Sequence, residues 1–167
     1  MVNRFDRVVN IAVLITCTAL LCRLGVDAFN IHKTSDLRGF KEGSIVVGTR
    51  NLRFSAASRT LIIATSSHCR YCQQSMPFFR RLTDKAQSSG VRVLAVALED
   101  TSTNRSFLLQ NGLHVDDVAA VSEIKVDIRA TPTLILVNSR GAVVASWVGA
   151  IAPDKEGAVE SALNSRG

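Results

Sequence analysis

Two cysteines separated by two residues, Cys69-Arg70-Tyr71-Cys72, are the residues of this sequence best suited to do chemistry. They follow a continuous apolar run from Thr60 to Ala64 and open a stretch in which Cys72, Met76, Phe79, Leu82 and Ala86 recur at spacings of three and four. The run suits a buried central strand, and the spacing predicts a helix with one apolar face opposite Arg80, Arg81 and Lys85. Cys69 then falls at a helix N-terminus, where free backbone N–H groups and the positive end of the helix dipole favour the thiolate. The thiolate is the nucleophilic form, so Cys69 is expected to be exposed and to attack. Cys72, one turn on and facing the core, is placed to attack the mixed disulfide that Cys69 forms with a partner. Arg70 is a candidate for tuning the thiolate. His68 is a candidate for local polarity rather than for a base, since neighbours on an extended segment point apart.

A Cys-x-x-Cys pair also occurs in metal sites, and the rest of the sequence decides between the two. A structural zinc site takes about four ligands, usually as two pairs. Here no second pair is at hand, and His32, His68 and His114 are scattered. No metal and no cofactor is expected. Cys17 and Cys22 lie in an apolar N-terminal run, where they are no use to a disulfide framework. A non-enzymatic module that binds copper or scaffolds a partner through the same thiols is the alternative from a different class. It would need further soft ligands, and Met76, on the apolar face, is a poor one. Two prolines add marks of their own. Thr131-Pro132 directly precedes a strand candidate, Thr133 to Val137, a position open to proline when strand interiors are not. Pro77 lies inside the first helix and removes a backbone donor there.

The elements that must position these residues follow from pattern. Ile45-Val46-Val47 and Leu52-Arg53-Phe54 read as short strands around a turn, and Val91 to Leu98 as a second apolar strand. The first helix should stop near Gly90. Thr101 to Asn111 reads as a helix capped by Ser102 or Thr103 and stopped by Gly112. Thr133 to Val137 and Ala142 to Val148 form a hairpin around Asn138-Ser139-Arg140-Gly141, and a last helix runs from Asp154 to Leu163. Parallel strands need helical crossovers, so the first half builds a β-α-β unit and the hairpin completes a mixed sheet. A chain of 167 residues has room for one such domain plus an N-terminal appendage.

That appendage has the layout of an address. Arg4 and Arg7 precede an apolar stretch from Val8 to Leu21 with no charge until Arg23. Val26-Asp27-Ala28 offers small residues for cleavage, whereas a helix from Phe5 to Val26 with snorkelling Arg7 and Arg23 would anchor the chain; the anchor is preferred. The expected division is a signal anchor or signal peptide over 1–28, a linker over 29–44 and the domain over 45–167. The domain is expected outside the cytoplasm, in the periplasm or at the cell surface, and secreted if the signal is cleaved after Ala28. The formal charge of +6 raises nucleic acid as a partner. Its basic cluster (Arg50, Arg53, Arg59, Arg70, Arg80, Arg81, Lys85, Arg92) is not interleaved with stacking rings and no nucleic-acid motif appears, so none is expected.

Taken together, these residues resemble the thioredoxin superfamily, and within it the membrane-anchored thioredoxin-like proteins of bacteria related to cytochrome c maturation thioredoxins. The match lies in the order of Leu61-Ile62-Ile63-Ala64, Cys69-x-x-Cys72, Pro77, Val91 to Ala97, Ala130-Thr131-Pro132-Thr133, the Asn138 to Gly141 turn and Trp147-Val148-Gly149. It spans roughly residues 58 to 163. The resemblance implies an α/β, thioredoxin-like three-layer fold with a central mixed sheet flanked by helices, preceded by an N-terminal apolar helix. It implies that Pro132 is cis and packs against the disulfide, that Thr131 supplies backbone bonds to a bound substrate cysteine segment, and that Cys69 attacks. The implied activity is thiol:disulfide exchange on protein partners, apocytochrome cysteines among them, with a membrane protein as electron donor. A peroxidase of the same superfamily is disfavoured, because its Thr-x-x-Cys arrangement is absent. Three positions depart from the pattern. His68 stands where Trp is usual, Ile63 where cytosolic thioredoxins bury an acid, and Ser75 where the cytochrome-maturation branch commonly has Glu. Without either carboxylate, deprotonation of Cys72 falls to water or to another group, for which Glu99 is a candidate.

Overall fold

The computed structural model describes residues 39–49 and 52–164. The N-terminal apolar run with Cys17 and Cys22, and residues 29–38 of the expected linker, lie outside the described residues. In chain order the elements are β1 (Val47–Gly48), a 3-10 turn (Phe54–Ala56), β2 (Arg59–Thr65), α1 (Arg70–Ser88), β3 (Arg92–Ala97), α2 (Thr101–Gln110), β4 (Asp117–Ala120), a second 3-10 turn (Val121–Glu123), β5 (Ile124–Lys125), β6 (Thr133–Asn138), β7 (Val143–Val148) and α3 (Pro153–Ala162).

Five strands form the central sheet in the order β4-β3-β2-β6-β7. β2 lies parallel to β3 from Thr60↔Arg92 to Thr65↔Ala97 and antiparallel to β6, with Ile63 opposite Leu134. Flanked on both sides and covered on both faces, β2 can be apolar throughout, and Leu61, Ile62, Ile63 and Ala64 are fully buried. The steps β2 to β3 and β3 to β4 go the same way along the sheet. Right-handed crossovers therefore bring α1 and α2 to the same face. Residues of all three helices share that face's core: Phe79 and Leu82 of α1, Leu108 of α2 and Val159 of α3, packed on Leu61, Ile63, Val93 and Ala95. Each of the larger side chains among them contributes about 1.5–3 kcal/mol by leaving water. The alternate residues Ile62, Ala64, Leu94, Val96 and Ile135 face the other way, where Val46 and Leu52 from loops, Phe54 from the first 3-10 turn and Ile124 from β5 cover them. The mixed sheet flanked by helices is the architecture the resemblance implied.

Differences from the sequence expectation concentrate in short segments. Leu52 and Phe54 are not on a strand; Phe54 opens a 3-10 turn, and both side chains plug the second core. Of Ile45 to Val47 only Val47 lies in a strand, paired with Lys125, while Ile45 makes an isolated antiparallel bridge to Ala142 that includes the bond from Val46 N–H to the Gly141 carbonyl at 2.8 Å. Gly141 is at φ +78°, and a Cβ there would collide with the Val46 carbonyl, so the β6–β7 turn demands glycine. Residues 43 and 44 run beside β7, with reciprocal bonds between Gly43 N–H and Val143 O and between Val143 N–H and Ser44 O, both 2.8 Å. β4 was not anticipated: Asp117-Val118-Ala119-Ala120 is too short to show alternation and is defined by its pairing with Leu94 to Ala97. The cap of α2 is Asp100, whose carboxylate accepts from the N–H groups of Ser102 and Thr103, rather than either of those residues.

Candidate functional site

β2 ends at Thr65 and β3 at Ala97, side by side, and the turn Ser66-Ser67-His68 leads from β2 into α1. Cys69 has the extended backbone of an N-cap (φ −85°, ψ 110°), and its Sγ accepts a hydrogen bond from the Cys72 N–H at 3.4 Å. A cysteine thus does at this helix what Ser or Asp commonly does, and the reward is charge stabilisation at sulfur. The turn is closed by Cys69 N–H to Ser66 O at 3.1 Å and by Gln73 Nε2 to Ser67 O at 2.9 Å. α1 continues through Pro77 to Ser88.

Cys72 is fully buried in the helix-side core, in the same cluster as Ile63, Met76, Phe79 and Leu134. Both thiols are free. The peptide bond Thr131-Pro132 is cis and stands directly before β6. Pro132 is buried, its carbonyl accepts from Gly149 N–H at 2.7 Å, and the Cys69 thiol donates to the Thr131 carbonyl at 3.2 Å. Cys69, Cys72, Thr131 and Pro132, far apart in sequence, are thereby brought to one place.

The two thiols ionise in opposite directions. Burial opposes charge at Cys69, but hydrogen bonding from Thr131, Cys72 and Tyr71 outweighs it, and the thiol is held below its usual value. At Cys72 burial dominates, the neighbouring Cys69 adds to it, and the thiol is pushed up to about 12. Neither position at which the resemblance implied a carboxylate carries one: Ile63 is apolar and fully buried, and Ser75 lies at the edge of burial.

The remaining predicted residues behave differently. Arg70 is exposed, in the first turn of α1. His68 is turned outward, its side chain 85% exposed, with Nδ1 3.0 Å from Glu99 Oε2. Glu99 itself, two residues past β3, is committed to the turn: its carboxylate accepts from the Ser67 N–H at 2.6 Å, the Ser67 hydroxyl at 2.7 Å, the Ser66 hydroxyl at 3.3 Å and Asn104 Nδ2 at 3.1 Å. Burial would raise it, but the Ser67, Asn104 and His68 bonds prevail and hold it at about 2. A carboxylate so strongly stabilised as the anion makes a poor base, which weighs against a role in deprotonating Cys72. Sequence reasoning missed Asn104 entirely. This fully buried side chain on α2 joins Glu99 to Thr65, donating to the Thr65 carbonyl at 3.2 Å. The only signal available was a polar residue on the inward side of a helix turn.

Comparison with known proteins bears on the whole of this arrangement. A family model described as a thioredoxin-like domain matches residues 55–159. Solved structures match in fold. The thioredoxin domain of a thiol-disulfide oxidoreductase from Bacteroides vulgatus superposes with a TM-score of 0.57 at 17% identity, covering 75% of this chain and 99% of that one. A thiol:disulfide interchange protein of the thioredoxin family from Chlorobium tepidum gives 0.52 at 18% identity, over 77% and 99%. A secreted disulfide oxidoreductase from Mycobacterium tuberculosis gives 0.50 at 15% identity, over 63% and 81%. The sequence matches none of the curated proteins.

Proposed function

Because the chain belongs to the thioredoxin-like family, we propose that it is a thiol:disulfide oxidoreductase in which Cys69 attacks and Cys72 resolves. The observation that carries this reading is the split between the two thiols within one helical turn, the first lowered at a helix N-cap and the second buried and raised to about 12. A nucleophile needs the first environment. A thiol that must stay protonated until a mixed disulfide forms needs the second.

In the reducing direction the Cys69 thiolate attacks one sulfur of a substrate disulfide. A Cys69–substrate S–S bond forms, the substrate bond breaks, and the departing thiolate takes a proton from water. Cys72 then gives its proton to water and attacks the Cys69 sulfur. The mixed disulfide breaks, the second substrate thiolate leaves and is protonated, and the protein holds a Cys69–Cys72 disulfide. Two electrons have passed to the substrate, and a donor dithiol, in this reading on a membrane protein, restores the reduced pair. The Thr131 backbone beside Cys69 offers an edge for the substrate cysteine segment, with Pro132 fixing its direction. Exposed Arg70 and His68 tune the approach. Protein disulfides outside the cytoplasm are the substrate class, with apocytochrome cysteines a subset.

The same reading places residues 1–28 as a signal anchor, 29–44 as a spacer and 45–167 as the exported domain. Arg4 and Arg7 ahead of the apolar run support it, as does the name of the secreted mycobacterial oxidoreductase with this fold. No helix among the described residues is long and apolar enough to cross a membrane, so the tether would be the N-terminal run.

Redox titration of the full chain against glutathione tests the function, with Cys69→Ser and Cys72→Ser as controls. A reversible two-electron couple well below the glutathione range is expected for a reductase. A potential above that range reverses the direction to oxidant or isomerase, and the absence of any couple overturns the enzyme reading.

A further inference from the structure

The turn that delivers Cys69 has no backbone ladder of its own, yet it is held from outside at every residue. Thr65 and Ala97 end paired strands, and Leu98 N–H returns to Thr65 O at 3.3 Å, which sets Glu99 opposite Ser66-Ser67-His68. One carboxylate then meets all three residues of the turn. Oε1 takes the Ser67 N–H, and Oε2 the Ser67 hydroxyl, the Ser66 hydroxyl and His68 Nδ1. Behind it, buried Asn104 donates to Oε1 and to the Thr65 carbonyl, closing a ring from strand to helix to carboxylate to turn.

We propose that Glu99 is a positioning residue of the thiol site, clamping the Ser66–His68 turn so that Cys69 is presented at the α1 N-cap with its sulfur in reach of the Cys72 N–H. The proposal rests on the oxidoreductase reading and deepens it. A carboxylate has two oxygens with about four acceptor sites, and the five groups gathered on Glu99 leave none of them idle; a glutamine of the same shape keeps one oxygen and turns the other into a donor. The charge itself works against a thiolate nearby, so Glu99 acts by geometry and not by field. Other charged groups in reach do not replace it. His68 is its own partner, Asp100 turns its carboxylate to Ser102 and Thr103, and Arg70 lies exposed on the first turn of α1.

The decisive measurement is the pH dependence of Cys69 alkylation by iodoacetamide in the reduced full chain, with Cys17, Cys22 and Cys72 each replaced by serine so that Cys69 alone reports. Glu99→Gln is expected to move the midpoint up by about half a unit or more, which slows alkylation below the midpoint about threefold. Ser67→Ala, which keeps the backbone N–H, is expected to move it the same way by less. The double variant should fall short of the sum, because Ser67 acts through Glu99. A general loss of stability would not produce a shifted midpoint with coupled effects. Unshifted midpoints in both variants, or strictly additive shifts, overturn the clamp. Should Glu99→Gln fail to fold, Ser67→Ala alone decides by whether its midpoint rises. The titration against glutathione stands apart: a wild-type chain with no redox couple removes the oxidoreductase reading while leaving the alkylation comparison intact.

Discussion

The two thiols sit one turn apart in regions built on different principles. Around Cys72 the structure is apolar and close-packed: α1 lays Met76, Phe79 and Leu82 on Leu61, Ile63 and Leu134, and the thiol is one more hydrophobe in that layer. Around Cys69 it is polar and held by direction: Thr65, Ser66, Ser67, Asn104 and Glu99 exchange hydrogen bonds across three elements. The first region suppresses a charge by removing water. The second creates room for a charge by fixing donors. A single helix start divides them, and that division lets one Cys-x-x-Cys hold two thiols with opposite tendencies.

The comparison breaks most visibly at the sulfurs. Cys69→Ser should abolish exchange altogether, whereas Cys72→Ser should still attack and then accumulate the mixed disulfide, seen as a partner-linked band on a non-reducing gel. If both variants accumulate it equally, the two regions are not functionally distinct. Next in size is Phe79→Ala, which opens a cavity in the core cluster that also holds Cys72. It should cost about 3–5 kcal/mol in urea unfolding, while the alkylation midpoint of Cys69 stays where it was. A matching shift at Cys69 would show that packing, not the turn, controls that thiol.

Legibility in the sequence follows the same line. The apolar region was readable because its order is local: Cys72, Met76, Phe79, Leu82 and Ala86 repeat with the helix, and Leu61 to Ala64 form one uninterrupted run. Cys69 at a helix start, the β6–β7 hairpin and the proline before β6 were readable for the same reason. The polar region was not. Glu99 reads as a candidate base for Cys72 rather than as a partner of the turn, and Asn104 as one more polar residue of α2, until β2 and β3 are aligned in register. Only that long-range pairing sets Glu99 against Ser67. β4 failed similarly, since four residues with two alanines carry no period, and the paired edge of β3 defines them. Capping was near to hand but displaced: Asp100, two residues before the nearer expected cap, outcompetes Ser102 and Thr103 because a carboxylate can accept from both N–H groups at once.

Smaller effects sharpen the polar side. Asn104→Ala removes the buried link between Thr65 and Glu99 and should cost about 1–3 kcal/mol, the usual penalty for leaving buried polar groups short of a partner. The acid limb is narrower still and has a definite sign. Glu99 is at about 2 in the folded chain against 4.5 for an unconstrained Glu, so the unfolded chain binds the proton more readily. The stability it contributes is complete above pH 4.5 and drains away as pH falls towards 2. Thermal unfolding of the wild type followed over that window should lose more stability than Glu99→Gln does. Parallel curves for the two proteins would mean that other carboxylates carry the acid sensitivity.

The smallest expected effect supplies the contrast between a polar contact that organises a site and one that merely decorates a surface. Arg81 Nη2 and Glu156 Oε2 lie 2.6 Å apart between α1 and α3, a distance as short as any in the Glu99 cluster. Yet the Arg81 side chain is 55% exposed, so water and salt compete for both charges and the long side chains give up freedom to meet. Arg81→Ala should therefore change stability by no more than about 1 kcal/mol, part of it from the guanidinium lying over Phe78. The difference from wild type should shrink further in high salt. Equal distances with unequal consequences would show that hydrogen bonds govern Cys69 through where they are anchored. A loss at Arg81→Ala as large as that at Asn104→Ala would erase the distinction.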